Sequence, residues 1–86
     1  MAKFSIQVLP SAERDLSSLY GSIRKRIVAR IDTLAENPNP SGAVKLQGEK
    51  DMWRVRVGDY RILYTIQNAQ LVVLVIKIGH RREVYR

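Results

Sequence analysis

The stretch Gly79 to Arg86 reads GHRREVYR, setting the chain's one histidine, His80, beside Arg81 and Arg82, with Tyr85 next to the last position. Upstream, Arg54 and Arg56 alternate in MWRVRV, Arg61 follows in GDYRILY and Lys77 in LVVLVIKI. These are the side chains that chemistry on a phosphodiester needs when no metal is used. Imidazole gives or takes a proton near neutral pH. Guanidinium groups grip a phosphate through two parallel hydrogen bonds and stabilise charge that develops on it. A phenol stacks on a base or shares in proton transfer. RNA supplies its own nucleophile, the 2′-OH, and DNA has none.

Each group also has a quieter reading. His80 is either a proton carrier or a structural or exposed ring. Arg61 is either a phosphate clamp or half of a salt bridge to Asp59 or Glu83, and Arg54 and Arg56 invite the same two readings. Arg56 neighbours Arg61 across a tight hairpin with no acid between them, which favours an external anion. Arg81 and Arg82 are either solvated or turned to that anion, and Tyr85 packs an edge, dangles, or meets a nucleotide. Tyr60 and Tyr64 fall on an apolar row and read as packing residues. The second-helix cations Arg24, Lys25, Arg26 and Arg30 read as a solvated surface or a peripheral nucleic-acid contact.

The elements that must position these groups are legible from periodicity. KFSIQVL reads as a first strand with Phe4, Ile6 and Val8 on one side. Pro10 stops it, and Ser11 is expected to cap a helix from Ala12 to about Tyr20, with Ala12, Leu16, Leu19 and Tyr20 on one face. Gly21 and Ser22 separate it from a second helix running to about Glu36, whose apolar stripe is Ile23, Ile27, Ile31 and Leu34. Residues 37–42, NPNPSG, form a loop.

From Lys45 the period becomes two. Trp53, Val55 and Val57 oppose Met52, Arg54 and Arg56. After a turn at Gly58-Asp59, Tyr60, Ile62, Tyr64 and Ile66 oppose Arg61, Leu63 and Thr65. After Asn68-Ala69, strict alternation puts Val72, Leu74, Ile76 and Ile78 opposite Leu71, Val73, Val75 and Lys77. The expected architecture is α+β: an N-terminal strand and a two-helix hairpin packed on a curved antiparallel sheet. Gly79 is expected to release the last strand so that His80 and the tail reach the arginine face. Leu63, Val73 and Val75 would then lie apolar among the arginines, as a partner site or under the tail.

Totals narrow the classes. The 86 residues suit one domain, residues 1–86. There is no cysteine, so no disulfide framework and no thiolate metal site. No apolar run is long enough to cross a bilayer, and MAKFSIQV lacks a signal-peptide shape, so a cytoplasmic protein with no membrane partner is expected. HExxH, a Cys/His grouping, clustered carboxylates and a phosphate-binding glycine loop are all missing, so no metal and no cofactor are expected. Fifteen Lys and Arg against eight Asp and Glu leave a net charge of +7, which favours a polyanionic partner.

In their joint order, KLQG, MWRVRVGDYRILYTI and LVVLVIKIGHRREVYR resemble the RelE toxins of bacterial type II toxin–antitoxin pairs, within the RelE/ParE superfamily. The likeness covers nearly the whole chain and is strongest from Lys45 to Tyr85. It implies a ribosome-dependent endoribonuclease, an mRNA interferase, that enters the A site, cuts mRNA there and arrests translation. It also implies a RelB-like antitoxin that wraps the basic face. Carried onto this sequence, Arg61 matches the arginine that binds the scissile phosphate, and Arg81 or Arg82 the one that stabilises the transition state. Tyr85 matches the tyrosine that stacks on or activates the nucleotide. Arg54 and Arg56 stand where the family often has lysine. Arginine does not surrender its proton, so the base must lie elsewhere, with His80 the leading choice. The runner-up is a ParE-type toxin, which has the same fold and inhibits DNA gyrase by binding.

Overall fold

Pro10 sets where the first helix begins. Its ring fixes φ and it has no N–H to donate, which suits the first turn of a helix and not a strand interior. The computed structural model describes residues 3–46, 48 and 51–80. In it β1 (Ser5–Val8) ends just before Pro10, and α1 (Pro10–Ser17) starts on it. Ser11, expected as the cap, is inside the helix and donates its hydroxyl to the Ile76 carbonyl 2.9 Å away. The helix stops at Ser17, where the Ser17 and Ser18 hydroxyls donate back to the carbonyls of Arg14 and Asp15 and compete with the helical ladder. That early stop leaves Tyr20 outside the helix and 83% exposed, not on its apolar face. Gly21 then takes a φ of 74°, where glycine is favoured, and α2 (Ser22–Leu34) follows.

The strands are β2 (Val44–Lys45), β3 (Met52–Val57), β4 (Tyr60–Gln67) and β5 (Val72–His80), and the sheet order is β1-β5-β4-β3-β2. From β2 to β5 the chain meanders antiparallel. The sheet is antiparallel as expected, with one parallel pairing at its edge, where β1 lies beside β5. A parallel neighbour needs a crossover, and the two helices and the meander supply it. Gly58, with φ 59°, opens the two-residue turn between Val57 and Tyr60, as a type II′ hairpin requires.

One sheet face carries Val55, Val57, Ile62, Tyr64, Val73, Val75 and Ile78, packed on Ala12, Ile27, Ile31 and Leu34 from the helices. Each large aliphatic side chain buried there contributes about 1.5–3 kcal/mol. Val73 and Val75 are fully buried, so their expected place among the arginines is corrected. The reason is a bulge. Leu63 pairs with Lys77 but Tyr64 pairs with Val75, leaving Ile76 as an extra residue in β5. An extra residue reverses the alternation, so strict counting back from Ile78 assigns the first half of β5 to the wrong face.

The bulge sits where β1 ends. Beyond Val75 the outer edge of β5 has no strand among the described residues, and α1 covers it instead. Asp15 Oδ2 accepts the Ile78 backbone N–H at 3.0 Å, and the Ser11 hydroxyl takes the Ile76 carbonyl. Covering an edge in this way removes an open template for pairing with other chains. Gly79 does not release the strand; β5 runs through it to His80.

Candidate functional site

The arginines come together as their alternation requires. In β3 and β4, Arg56 pairs directly with Arg61, and Arg54 pairs with Leu63 one step away. Side chains of directly opposed residues stand about 4.5–5.5 Å apart at Cβ, and diagonal neighbours about 7–8 Å. Arg54, Arg56 and Arg61 therefore form one cluster on the sheet face turned away from the helices. Two like charges placed opposite each other destabilise a sheet, so a cluster of this kind suits an anion that bridges them.

Arg61 differs from its neighbours. It is only 7% exposed, whereas Arg56 is exposed and Arg54 half-buried. The residue is on the outer face, away from the core, but at its floor. Its partner across β5 is Gly79, which has no side chain and leaves room for the long arginine stem. Lining the rest of this face are half-buried Met52, Leu63, Thr65, Val72 and Leu74. Apolar residues do interleave with the arginines, with Val72 and Leu74 in the places first given to Val73 and Val75.

His80 is not part of this cluster. It pairs in register with Tyr60, and its ring meets Tyr60 edge-on with centroids 5.6 Å apart. Tyr60 packs against the core, so the pair stands on the helix side of the sheet. There His80 lines a cavity of about 340 Å³ with Asp15, Ser18 and Leu19. The expected meeting of His80 with the arginines is therefore corrected by the register itself: Arg61 is opposite Gly79, and the next residue points the other way. Lys77 is also drawn aside, with Nζ 3.4 Å from Asp15 Oδ2, although it keeps 45% of its side chain exposed. Arg81, Arg82 and Tyr85 lie outside the described residues, as does Glu83.

The second-helix cations, expected as a solvated surface or a peripheral nucleic-acid contact, have a partner element. Arg26, Ala29, Arg30 and Thr33 line one side of a cleft of about 410 Å³ between α2 and the β3–β4 hairpin, and Arg56, Val57 and Gly58 line the other. Their i, i+4 spacing is visible in RKRIVAR, but nothing local says which loop they will meet. Beneath them Tyr64 is fully buried and its hydroxyl donates to the Pro38 carbonyl at 2.7 Å. Burial pushes the Tyr64 phenol up to about 12, with the nearby Arg30 charge pulling the other way. This bond ties the loop after α2 to the middle of the sheet. Among the described residues no group of three or more His, Asp or Glu side chains could hold a metal ion. None of the helices among them is long and apolar enough to cross a membrane.

Comparison with known proteins places this arrangement. The toxin RelG of Mycobacterium tuberculosis is 26% identical, covering 96% of this chain and 97% of its own length. Two solved toxin–antitoxin complexes share the fold at 26% identity and a TM-score of 0.81. They are RelE–RelB from the archaeon Pyrococcus horikoshii, covering 98% of this chain and 100% of that one, and RelBE2 from Mycobacterium tuberculosis, covering 92% and 99%. Residues 6–85 match the family model described as the ParE toxin of type II toxin–antitoxin systems, parDE. With a family match over nearly its whole length and toxins of this kind among its relatives, the chain belongs to the ParE toxin family and is a toxin of the RelE type.

Proposed function

We propose that this toxin is a ribosome-dependent endoribonuclease, an mRNA interferase that cuts mRNA in the A site of the ribosome. The observation that carries the reading is the placing of Arg54, Arg56 and Arg61 on one sheet face, with Arg61 held at the floor. A phosphodiester bound there meets guanidinium groups in a partly desolvated setting, where their electrostatic effect is stronger than in open water. The 2′-oxygen attacks the adjacent phosphorus as its proton leaves, and a new O–P bond forms. The bond from phosphorus to the 5′-oxygen breaks, and that oxygen departs protonated. The products are a 2′,3′-cyclic phosphate and a 5′-OH. Arg61 clamps the scissile phosphate, Arg54 and Arg56 hold the backbone, and Arg81 or Arg82 neutralises the phosphorane. Arginine cannot serve as the base. His80 faces the helices, so Tyr85 is assigned as the donor that protonates the departing 5′-oxygen, and water takes the proton from the 2′-OH.

A net charge of +7 and the apolar residues among the arginines suit an acidic, partly disordered antitoxin of the RelB type that covers this face. The complexes found for the relatives support that partner, and its site of action is the cytoplasm. Inducing Arg61→Ala is expected to abolish growth arrest, and ribosome toeprinting with the unaltered toxin is expected to show cuts within A-site codons. A second reading is favoured by the matched family model, which is described as ParE. On that reading the chain inhibits DNA gyrase by binding. Gyrase-dependent DNA breaks alongside intact mRNA would establish it and remove the nuclease.

A further inference from the structure

We propose that the cleft between α2 and the β3–β4 hairpin is a second phosphate-binding site, which grips the backbone of the RNA strand beside the point of cutting. The inference deepens the nuclease reading and rests on it for the nature of the strand.

The cleft follows from an incomplete edge. β2 is two residues long and pairs only with Arg54 and Trp53. From Val55 to Val57 the outer edge of β3 therefore has no strand beside it among the described residues, and α2 lies over that gap. Arg26, Arg30 and Thr33 recur at helical spacing, so they share the stripe of α2 that overhangs the hairpin. Arg26 reaches the turn itself: a Cβ added at Gly58 would stand 3.6 Å from its Nη2 and 3.8 Å from Nη1. Arg30 is half-buried, close enough to Tyr64 for its charge to act on that phenol.

Arg56 joins the two surfaces. Its register puts it opposite Arg61 on the outer face, and it also lines the cleft. A run of cations thus passes from Arg61 and Arg54 through Arg56 at the open edge to Arg26 and Arg30. Among the described residues the one ion pair is Lys77–Asp15, so Asp32, Glu36 and Asp59 neutralise none of the cleft's three arginines directly. Three arginines in one cleft, with no acid among the described residues paired to them, call for an anion.

The lining chemistry selects which anion. Only Ala29, Val57 and Gly58 are apolar there, so the large anchors of a protein partner find no pocket to fill. A phosphodiester needs none, because guanidinium forks satisfy its oxygens directly. Arg56 belongs to both surfaces, so a strand that leaves the outer face there is already at the rim of the cleft.

The test uses the full chain and 2′-O-methyl oligoribonucleotides, which cannot be cut because their 2′-oxygens are blocked. A trinucleotide spans only the outer face, and one of about a dozen nucleotides also reaches the cleft. Wild type is expected to bind the longer one more tightly. Arg26→Gln/Arg30→Gln is expected to lose roughly tenfold for the longer strand, to leave the trinucleotide unchanged, and to flatten the salt slope by roughly 1.4. Arg26→Lys/Arg30→Lys, which keeps the charge, is expected to recover most of the affinity, and circular dichroism checks that all variants fold alike. A length advantage that survives the glutamine variant overturns the site. So does a variant that loses a glutamate-rich peptide while retaining RNA. The nuclease reading is judged separately by toeprinting: a chain that shows the length effect but never cuts mRNA keeps the cleft and loses the reaction.

Discussion

Tyr64→Phe removes one oxygen, yet it should reverse the order of stability between variant and wild type as pH rises. The hydroxyl is fully buried and donates to the Pro38 carbonyl at 2.7 Å. At neutral pH its loss is expected to cost about 1 kcal/mol, the usual net worth of such a bond. Alkaline solution changes the balance. The phenol titrates at about 12 in the folded chain, against about 10 when exposed in the unfolded one. Between these values the unfolded chain releases a proton that the folded chain keeps, so stability falls with pH.

The stabilisation is fully present below pH 10 and is lost as pH rises through about 12. Two pKa units correspond to roughly 2.7 kcal/mol in all, of which about 1.4 kcal/mol is gone by pH 11. Wild type and Tyr64→Phe are therefore expected to cross near pH 11, with the phenylalanine variant the more stable above it. Urea denaturation followed by the fluorescence of Trp53, the only tryptophan, at intervals from pH 8 to about 11.5 would read the difference directly. The other tyrosines and the lysines are common to both proteins and cancel. A difference that stays flat across this range would falsify the argument, for it would mean that the phenol pays no desolvation cost when it ionises.

Asp15 gives a pair of variants. Asp15→Ala leaves the Ile78 N–H without its acceptor and is expected to cost about 1–3 kcal/mol in urea denaturation. Asp15→Asn keeps an acceptor oxygen, loses only the exposed pairing with Lys77, and should cost under about 1 kcal/mol; equal losses would show that the edge bond contributes nothing. Gly79→Val puts a branched side chain opposite Arg61 and is expected to depress cutting on ribosomes at least tenfold, since misplacing a clamp by an ångström costs up to about a hundredfold. Unchanged cutting would show that Arg61 does not use that space. His80→Gln, on the helix side against Tyr60, should lower stability modestly without slowing cutting relative to ribosome binding. A selective fall in rate would return the proton-transfer role to His80.

Local patterning was enough to reveal most elements of this fold and the arginine cluster. Ile27, Ile31 and Leu34 at helical spacing bury as their period requires, and the two-residue turn at Gly58 forces Arg56 opposite Arg61. These follow from period and turn chemistry, which act over a few residues and are written directly in the chain. The tertiary structure decided the rest. The bulge at Ile76 exists because β5 must satisfy β4 on one side and α1 on the other, and it moves Val73 and Val75 into the core. The same pairing turns His80 toward Tyr60, away from Arg61. Arg26 and Arg30 became part of a cleft only because β2 stops short and leaves an edge for α2 to cover. In each case the outcome depends on residues far apart in sequence competing for the same backbone edge, a competition that no local pattern records.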